Sequence, residues 1–296
     1  MFDGTKSMRG TRVRLRAVSR PLSAGAAAAL AVGRLALAPV SPLAYRWYAS
    51  HLMSEVRSHA LPMHVAMILD GNRRFARSTG LLALADGYKY GGNKVSEVVA
   101  WCDELSIPVI TLWGLSTENL ERDPSELGKI FQIVGDRLGS LSREGTQGST
   151  RRRIRAVGRL EMLPSELRDQ IEAAERQSAN LGPNILNVAV AYGGRDEILD
   201  AVKRLLRTRG GEGESAAEIA ESLSDNDLEP FMYAPDIPEP DLIIRTSGEI
   251  RLSGFLLWQS VHSELYFCDV PWPAFRKIDF LRAIRSFQAR QRRFGR

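Results

Sequence analysis

The chain has 296 residues, of which 44% are hydrophobic and 25% charged. That balance suits a globular protein with a sizeable core and excludes a disordered or fibrous one. Its +5 net charge sits at the ends, since residues 1–20 carry +5, residues 273–296 carry +7 and the middle −7. A nucleic-acid-binding body is therefore not expected, whatever the basic pI suggests. Two cysteines, Cys102 and Cys268, cannot build a disulfide framework or a four-cysteine zinc site, and their apolar surroundings predict buried free thiols in a reducing compartment.

Residues 1–41 read as a basic, alanine-rich extension, expected to be disordered or weakly membrane-associating, ahead of a folded domain at 42–296. A basic stretch to Arg20, then Ala24–Gly33 and Ala36-Leu37-Ala38, imitates an export signal, but Arg34 interrupts its apolar part. A start at Met8 ranks above export. No run of eighteen apolar residues is present, so no transmembrane helix is expected.

From Pro42, apolar residues at Leu43, Trp47, Leu52 and Val56 predict a leading helix. The apolar run 64–69 predicts a buried strand that ends in the turn Asp70-Gly71-Asn72. A helix is expected over 87–105, a second strand over 108–112, and a helix over 124–141 with proline just inside its start. Then come a strand at 154–157, a helix at 164–179, a strand at 187–191 stopped by Gly193-Gly194, and a helix at 197–207. A loop at 210–214, a helix at 216–223, strands at 242–244 and 265–268, and a basic amphipathic helix at 275–294 complete the reading. Continuously apolar strands alternating with helices predict one α/β domain: a mostly parallel six-stranded sheet flanked by helices. In such a fold, ligands bind beyond the carboxyl ends of the strands.

The informative polar groups fall at those ends. Asp70 and Gly71 precede Asn72, Arg73 and Arg74 at a helix start, an arrangement suited to a phosphate, and a lone carboxylate beside phosphate suits Mg²⁺. The alternative is that Asp70 only caps the helix. A second corner, Arg245 to Ser253 with Arg251 between, could hold another diphosphate or be a surface loop bridged by Glu249. No Walker loop and no GxGxxG after a strand is present, so nucleotide binding is unsupported.

The segments HVAMILDGNRRFAR, WGLSTENLERDP, AVAYGGRDEI, DLIIRTSGEIRLSGFLLWQ and SELYF, in that order from His64, resemble the cis-prenyltransferases. SGEIRLSGFLLWQS and LSTEN are most similar to the short-chain actinobacterial type that makes (2Z,6E)-farnesyl diphosphate. The resemblance implies Mg²⁺-dependent condensation of isopentenyl diphosphate with an allylic diphosphate, in a cytoplasmic homodimer with possible peripheral membrane contact. It implies that Asp70, with Gly71, Asn72, Arg73, Arg74 and Phe75, serves the allylic diphosphate and metal, and that Glu264 shares that metal. Arg245, Arg251, Leu252 and Ser253 match the isopentenyl diphosphate site. Ser116, Thr117, Glu118, Asn119, Leu120 and Arg122 match the loop beside the reacting carbons, where the asparagine is implicated in proton removal. A neutral amide is a poor base, so Asn119 is expected to orient groups while a diphosphate oxygen takes the proton. Arg293 and Gly295 match a C-terminal motif that reaches across the dimer.

The chain departs from the family pattern at Phe75, where tryptophan is usual, at Tyr88, where histidine is expected, and at Ile250, where histidine is common. Residues 81–86 also lack the expected arginine. Leu84, Trp101 and Phe131 are candidates to close a product tunnel, each equally readable as plain core. A long-chain polyprenyl diphosphate synthase is the alternative within the class. A non-catalytic partner subunit, which would typically lack Asp70, is the alternative from another class. The aspartate-pair signature of all-helical trans-type synthases is absent.

Overall fold

A computed structural model of the chain describes residues 42–81, 84–146 and 151–290. The extension at 1–41 and the C-terminal motif at 293–295 lie outside the described residues. By its contacts the chain divides into residues 1–47 and 48–296. Of the first unit only the opening of helix α1 (Pro42–Arg57) is described.

The second unit holds six strands: β1 (His64–Ile68), β2 (Val109–Trp113), β3 (Arg153–Val157), β4 (Ile185–Ala189), β5 (Leu242–Arg245) and β6 (Glu264–Phe267). They form one sheet in the order β3-β4-β2-β1-β5-β6, every pair parallel. The connections are α2 (Asn72–Ser78), α3 (Leu84–Glu104), α4 (Pro124–Thr146), α5 (Ser165–Ser178), α6 (Gly194–Gly211), α7 (Ala216–Ser222), α8 (Asp225–Leu228) and the closing α9 (Lys277–Ala289).

The apolar runs form buried strands because both sheet faces are covered. Val65 and Met67 of β1 enter one core with Leu242 and Ile244 of β5. Ala66, Ile68 and Ile243, one residue out of phase, enter a second core with Tyr192 and Phe255. That alternation is the two-residue period of a strand with apolar layers on both sides. Edge strands β3 and β6 are only partly buried. Both cysteines are buried free thiols, and burial pushes the Cys102 thiol up to about 12.

Some boundaries differ from expectation. Strand β4 starts at Ile185, two residues early, because its register with Val109 continues past the polar but buried Asn187. Helix α6 runs through Gly210 and Gly211 where a loop was expected. Its end is held by the ion pair of Arg209 with Glu214. Helix α9 starts two residues later than expected, at Lys277, where Asp279 accepts from the Arg276 backbone N–H at 3.1 Å.

Candidate active site

The chain leaves β1 for β2 on one side and later reaches β5 on the other. Strand β1 is thus the point where the connections reverse, and a crevice opens there at the carboxyl ends. The cavity in that crevice has a volume of about 680 Å³. Asp70 to Arg74 line it after β1, Ser116, Glu118, Asn119 and Arg122 after β2, Arg245 at the end of β5 and Ser253 beyond it.

Gly71 makes the first corner possible. Its φ is +101°, and a Cβ there would lie 2.7 Å from Ser247 Oγ and 2.8 Å from Pro271 Cβ. Gly71, not Asp70, is the cap residue of α2, and it makes no side-chain cap. The Asp70 carboxylate is therefore not used up as a cap. Its Oδ2 accepts from Arg245 Nη2 at 2.8 Å. Helix α2 has only seven residues, so its backbone dipole is weak and the positive potential comes from side chains. Arg73, Arg74 and Arg77 all line the cavity. Arg77 was missed from sequence, although it stands one turn beyond Arg73 on the same helix face.

Arg245 is buried, and its Nη1 donates to the Arg251 carbonyl at 2.6 Å and to Ser253 Oγ at 2.7 Å. Ser253 reaches it from a left-handed backbone, φ 51°. Arg251 pairs with Glu249 at 2.6 Å and stands outside the cavity lining, while Glu249 also holds Arg74 at 3.0 Å. One carboxylate thereby ties the two basic corners together, and the Arg74 hydrogen bond, then Arg251, holds its carboxyl below the usual range. The surface-bridge alternative thus describes Glu249 and Arg251, whereas the buried Arg245 lines the cavity. Arg245 Nε and Asn72 Oδ1 are buried without hydrogen-bond partners, capacity that bound water or ligand normally satisfies.

In the loop after β2, Asn119 Oδ1 accepts from the Ser116 N–H at 3.3 Å, and the Asn119 N–H donates to Ser116 Oγ at 3.2 Å. With the amide oxygen so engaged, the NH₂ is the end available to a ligand, and it can donate but not take a proton. Thr117 Oγ1 donates to Asp196 at 2.8 Å and anchors the loop to α6. Leu120 packs on the main core, Leu252 on the second, and Phe75 lies edge-on to Tyr90 with centroids 5.8 Å apart. None of these four lines the cavity.

Glu264 is not brought to Asp70. It opens β6 opposite Leu242, whereas Arg245, three residues on, pairs with Phe267. Asp70 lies two residues past Ile68, the Arg245 partner. At about 3.3 Å per residue the two carboxylates stand at opposite ends of the sheet. Glu264 instead accepts from Arg290 at 2.6 Å. Within one chain they cannot share a metal.

A second, narrow cavity of about 90 Å³ adjoins the first, between α3, α4 and the sheet, lined by Val95, Ile130, Ile133, Leu138 and Trp272 among others. Trp101 does not line it; its ring packs on Phe275 and Phe280. Phe131 packs on the core, and the Leu84 side chain lies outside the described residues. Trp272, unforeseen, is fixed there by its Nε1–H donating to the Gly91 carbonyl at 2.8 Å. It follows β6, far in sequence from the helices it closes.

Residues 68–295 match the family model described as "Putative undecaprenyl diphosphate synthase". The chain belongs to the cis-prenyltransferase family. Among its relatives, the (2Z,6E)-farnesyl diphosphate synthase of Thermobifida fusca is 48% identical over 251 residues, 85% of this chain and 96% of that protein. The geranylgeranyl-diphosphate-specific tritrans,polycis-undecaprenyl-diphosphate synthase of Methanopyrus kandleri is 45% identical over 89% of this chain and 94% of that one. The lavandulyl diphosphate synthase from Lavandula x intermedia, crystallised with dimethylallyl diphosphate, superposes with a TM-score of 0.75 at 32% identity, covering 82% of this chain and all of that one.

This cis-prenyltransferase is an isoprenyl transferase with the six-stranded parallel fold of its relatives. The family generally uses Mg²⁺. Among the described residues no three His, Cys, Asp or Glu side chains converge. Asp70 and Glu118 are the carboxylates that line the cavity, and with arginines that attract phosphate this donor set fits an ion held by one or two carboxylates, phosphate oxygens and water. Among the described residues, no helix is long and apolar enough to cross a membrane.

Proposed function

We propose that this cis-prenyltransferase condenses isopentenyl diphosphate with a short allylic diphosphate, geranyl diphosphate in the first instance, to give (2Z,6E)-farnesyl diphosphate with Mg²⁺, as a homodimer. One observation carries the reading. Two arginine corners meet at the Asp70–Arg245 pair in a polar cavity, and that cavity adjoins an apolar one of only about 90 Å³. Clefts for drug-sized ligands occupy about 300–1,000 Å³, so this apolar space suits a short chain. The 48% identical farnesyl-type relative supports the same length.

Arg73, Arg74 and Arg77 hold the allylic diphosphate, and Arg245 with Ser253 holds isopentenyl diphosphate. Mg²⁺, when bound at Asp70, supplies charge stabilisation to the departing diphosphate. The arginines add to it as negative charge builds. The C4 electrons of isopentenyl diphosphate form a bond to C1 of the allylic partner, the C1–O bond breaks, and a C2 proton leaves as the new double bond forms. A diphosphate oxygen accepts that proton, while the Asn119 NH₂ orients a diphosphate oxygen or water.

Isotopically labelled isopentenyl diphosphate, Mg²⁺ and a series of allylic primers test the reading. Incorporation into C15 product from geranyl diphosphate is expected. Absence of incorporation with every primer refutes the activity, and C50 or longer products refute the short chain.

A further inference from the structure

Tyr88 lines both cavities, as do Leu69, Asn72 and Gly114, and of these four it alone carries an aromatic ring. It lines the polar cavity with Asp70 and Arg122, and the apolar cavity with Gly92, Val95 and Ile133. On α3, Tyr88, Gly91, Gly92 and Val95 fall on one face by their three- and four-residue spacing. That face looks across the cleft at Ile130 and Ile133 of α4.

Its hydroxyl is held at two points. The Tyr88 O–H donates to Glu126 Oε1 at 2.7 Å, and Arg122 Nη1 donates to Tyr88 Oη at 2.9 Å. Glu126 is close to both cations of this corner, Arg73 at 3.8 Å and Arg122 at 3.7 Å. The phenol is thus the contact through which Arg122, on the reacting-carbon loop, and Glu126, on the first turn of α4, are joined to α3. Burial, then Glu126, pushes the phenol well above its ordinary value, so it stays a donor at every working pH.

We propose that Tyr88 is the specificity-determining neck residue for the allylic substrate: its hydroxyl fixes the ring, and the ring sets how much prenyl chain passes from the phosphate cavity into the apolar one. This deepens, and rests on, the condensation proposed above. An allylic substrate with its diphosphate on Arg73 and Arg74 must lay its first isoprene unit past the Tyr88 ring to enter the apolar cavity. Isopentenyl diphosphate, held on the β5 side by Arg245, has no tail to thread there. Tyr88 therefore discriminates among allylic substrates and leaves the second substrate alone.

Two substitutions separate the ring from the hydroxyl. Tyr88→Phe keeps the ring and deletes the group that meets Arg122 and Glu126. Losing a hydrogen bond with charged partners should raise the KM for geranyl diphosphate about tenfold or more. The KM for isopentenyl diphosphate should stay within about twofold. Tyr88→Ala joins the cavities. It should shift the preference for farnesyl over geranyl diphosphate by about tenfold or more, the scale on which apolar pockets discriminate. Tyr88→Leu serves the same purpose if the alanine variant fails to fold.

Equal rises in both KM values, or none, in Tyr88→Phe overturn the role of the hydroxyl. An unchanged primer ranking in the ring-deleted variant overturns the role of the ring. If the wild-type protein incorporates label and the variants match it, this proposal falls and the condensation stands. If the wild-type protein incorporates none with any primer, both fall.

Discussion

Asp70 Oδ2 and Arg245 Nη2 lie 2.8 Å apart, one just past β1 and the other at the end of β5. In the ligand-free protein the proposed metal carboxylate and the proposed diphosphate cation neutralise each other. A diphosphate arriving at Arg245 competes for the guanidinium and releases the carboxylate to a cation. Mg²⁺ and inorganic diphosphate should therefore each tighten the other's binding, within the usual coupling range of about 5- to 150-fold. Calorimetric titration of one at saturating levels of the other checks this, and Asp70→Asn should lower the coupling to near one.

Asp70→Ala should abolish turnover while the protein stays folded. The lost ion pair is a third exposed on the Asp70 side but buried on the Arg245 side, so its removal should cost about 1–3 kcal/mol of stability. Arg245 keeps Ser253 and the Arg251 carbonyl as partners. Activity assays paired with thermal unfolding separate the effects.

Ile133 faces Gly92 across the apolar cavity, where a Cβ on Gly92 would lie 3.0 Å from Ile133 Cγ2. Ile133→Ala should lengthen the product by at least one isoprene unit, read by mass spectrometry. The partly buried site should lose no more than about 2–3 kcal/mol of stability.

His64 is buried in β1, with Nδ1 2.7 Å from the Pro238 carbonyl and Nε2 2.8 Å from Thr111 Oγ1. Burial lowers its pKa to about 4. Between pH 6.5 and 4 the unfolded chain holds a proton on this residue that the folded one rejects, so stability rises with pH across that window and is lost as pH falls. The contribution is about 3 kcal/mol at neutral pH. Denaturant unfolding at pH 7 and pH 4.5 should show the loss, and His64→Gln should flatten that part of the profile.

Much of the fold is legible in the sequence because β1, β2 and β4 are buried along their whole length and read as mainly apolar runs. The cavity corners are legible because Asp70, Asn119 and Arg245 all fall at or just beyond the carboxyl ends of strands. Other features depend on tertiary context. The in-sheet Asn187 hides the true start of β4. Trp272 reaches the apolar cavity from beyond β6. Tyr88 reads as a departure from the family pattern, and only the fold shows it spanning two cavities. The implied partnership of Glu264 with Asp70 does not arise within one chain, since their strand positions lie at opposite ends of the sheet. Glu118, which lines the same cavity, and a partner chain in the proposed homodimer are the remaining sources of a second carboxylate.

The most direct test of the account is the length and double-bond geometry of the product formed from geranyl and isopentenyl diphosphates with Mg²⁺, read by mass spectrometry and NMR. The account predicts a C15 diphosphate whose new double bond is Z. A new double bond in the E configuration, or no condensation with any allylic primer, would contradict it.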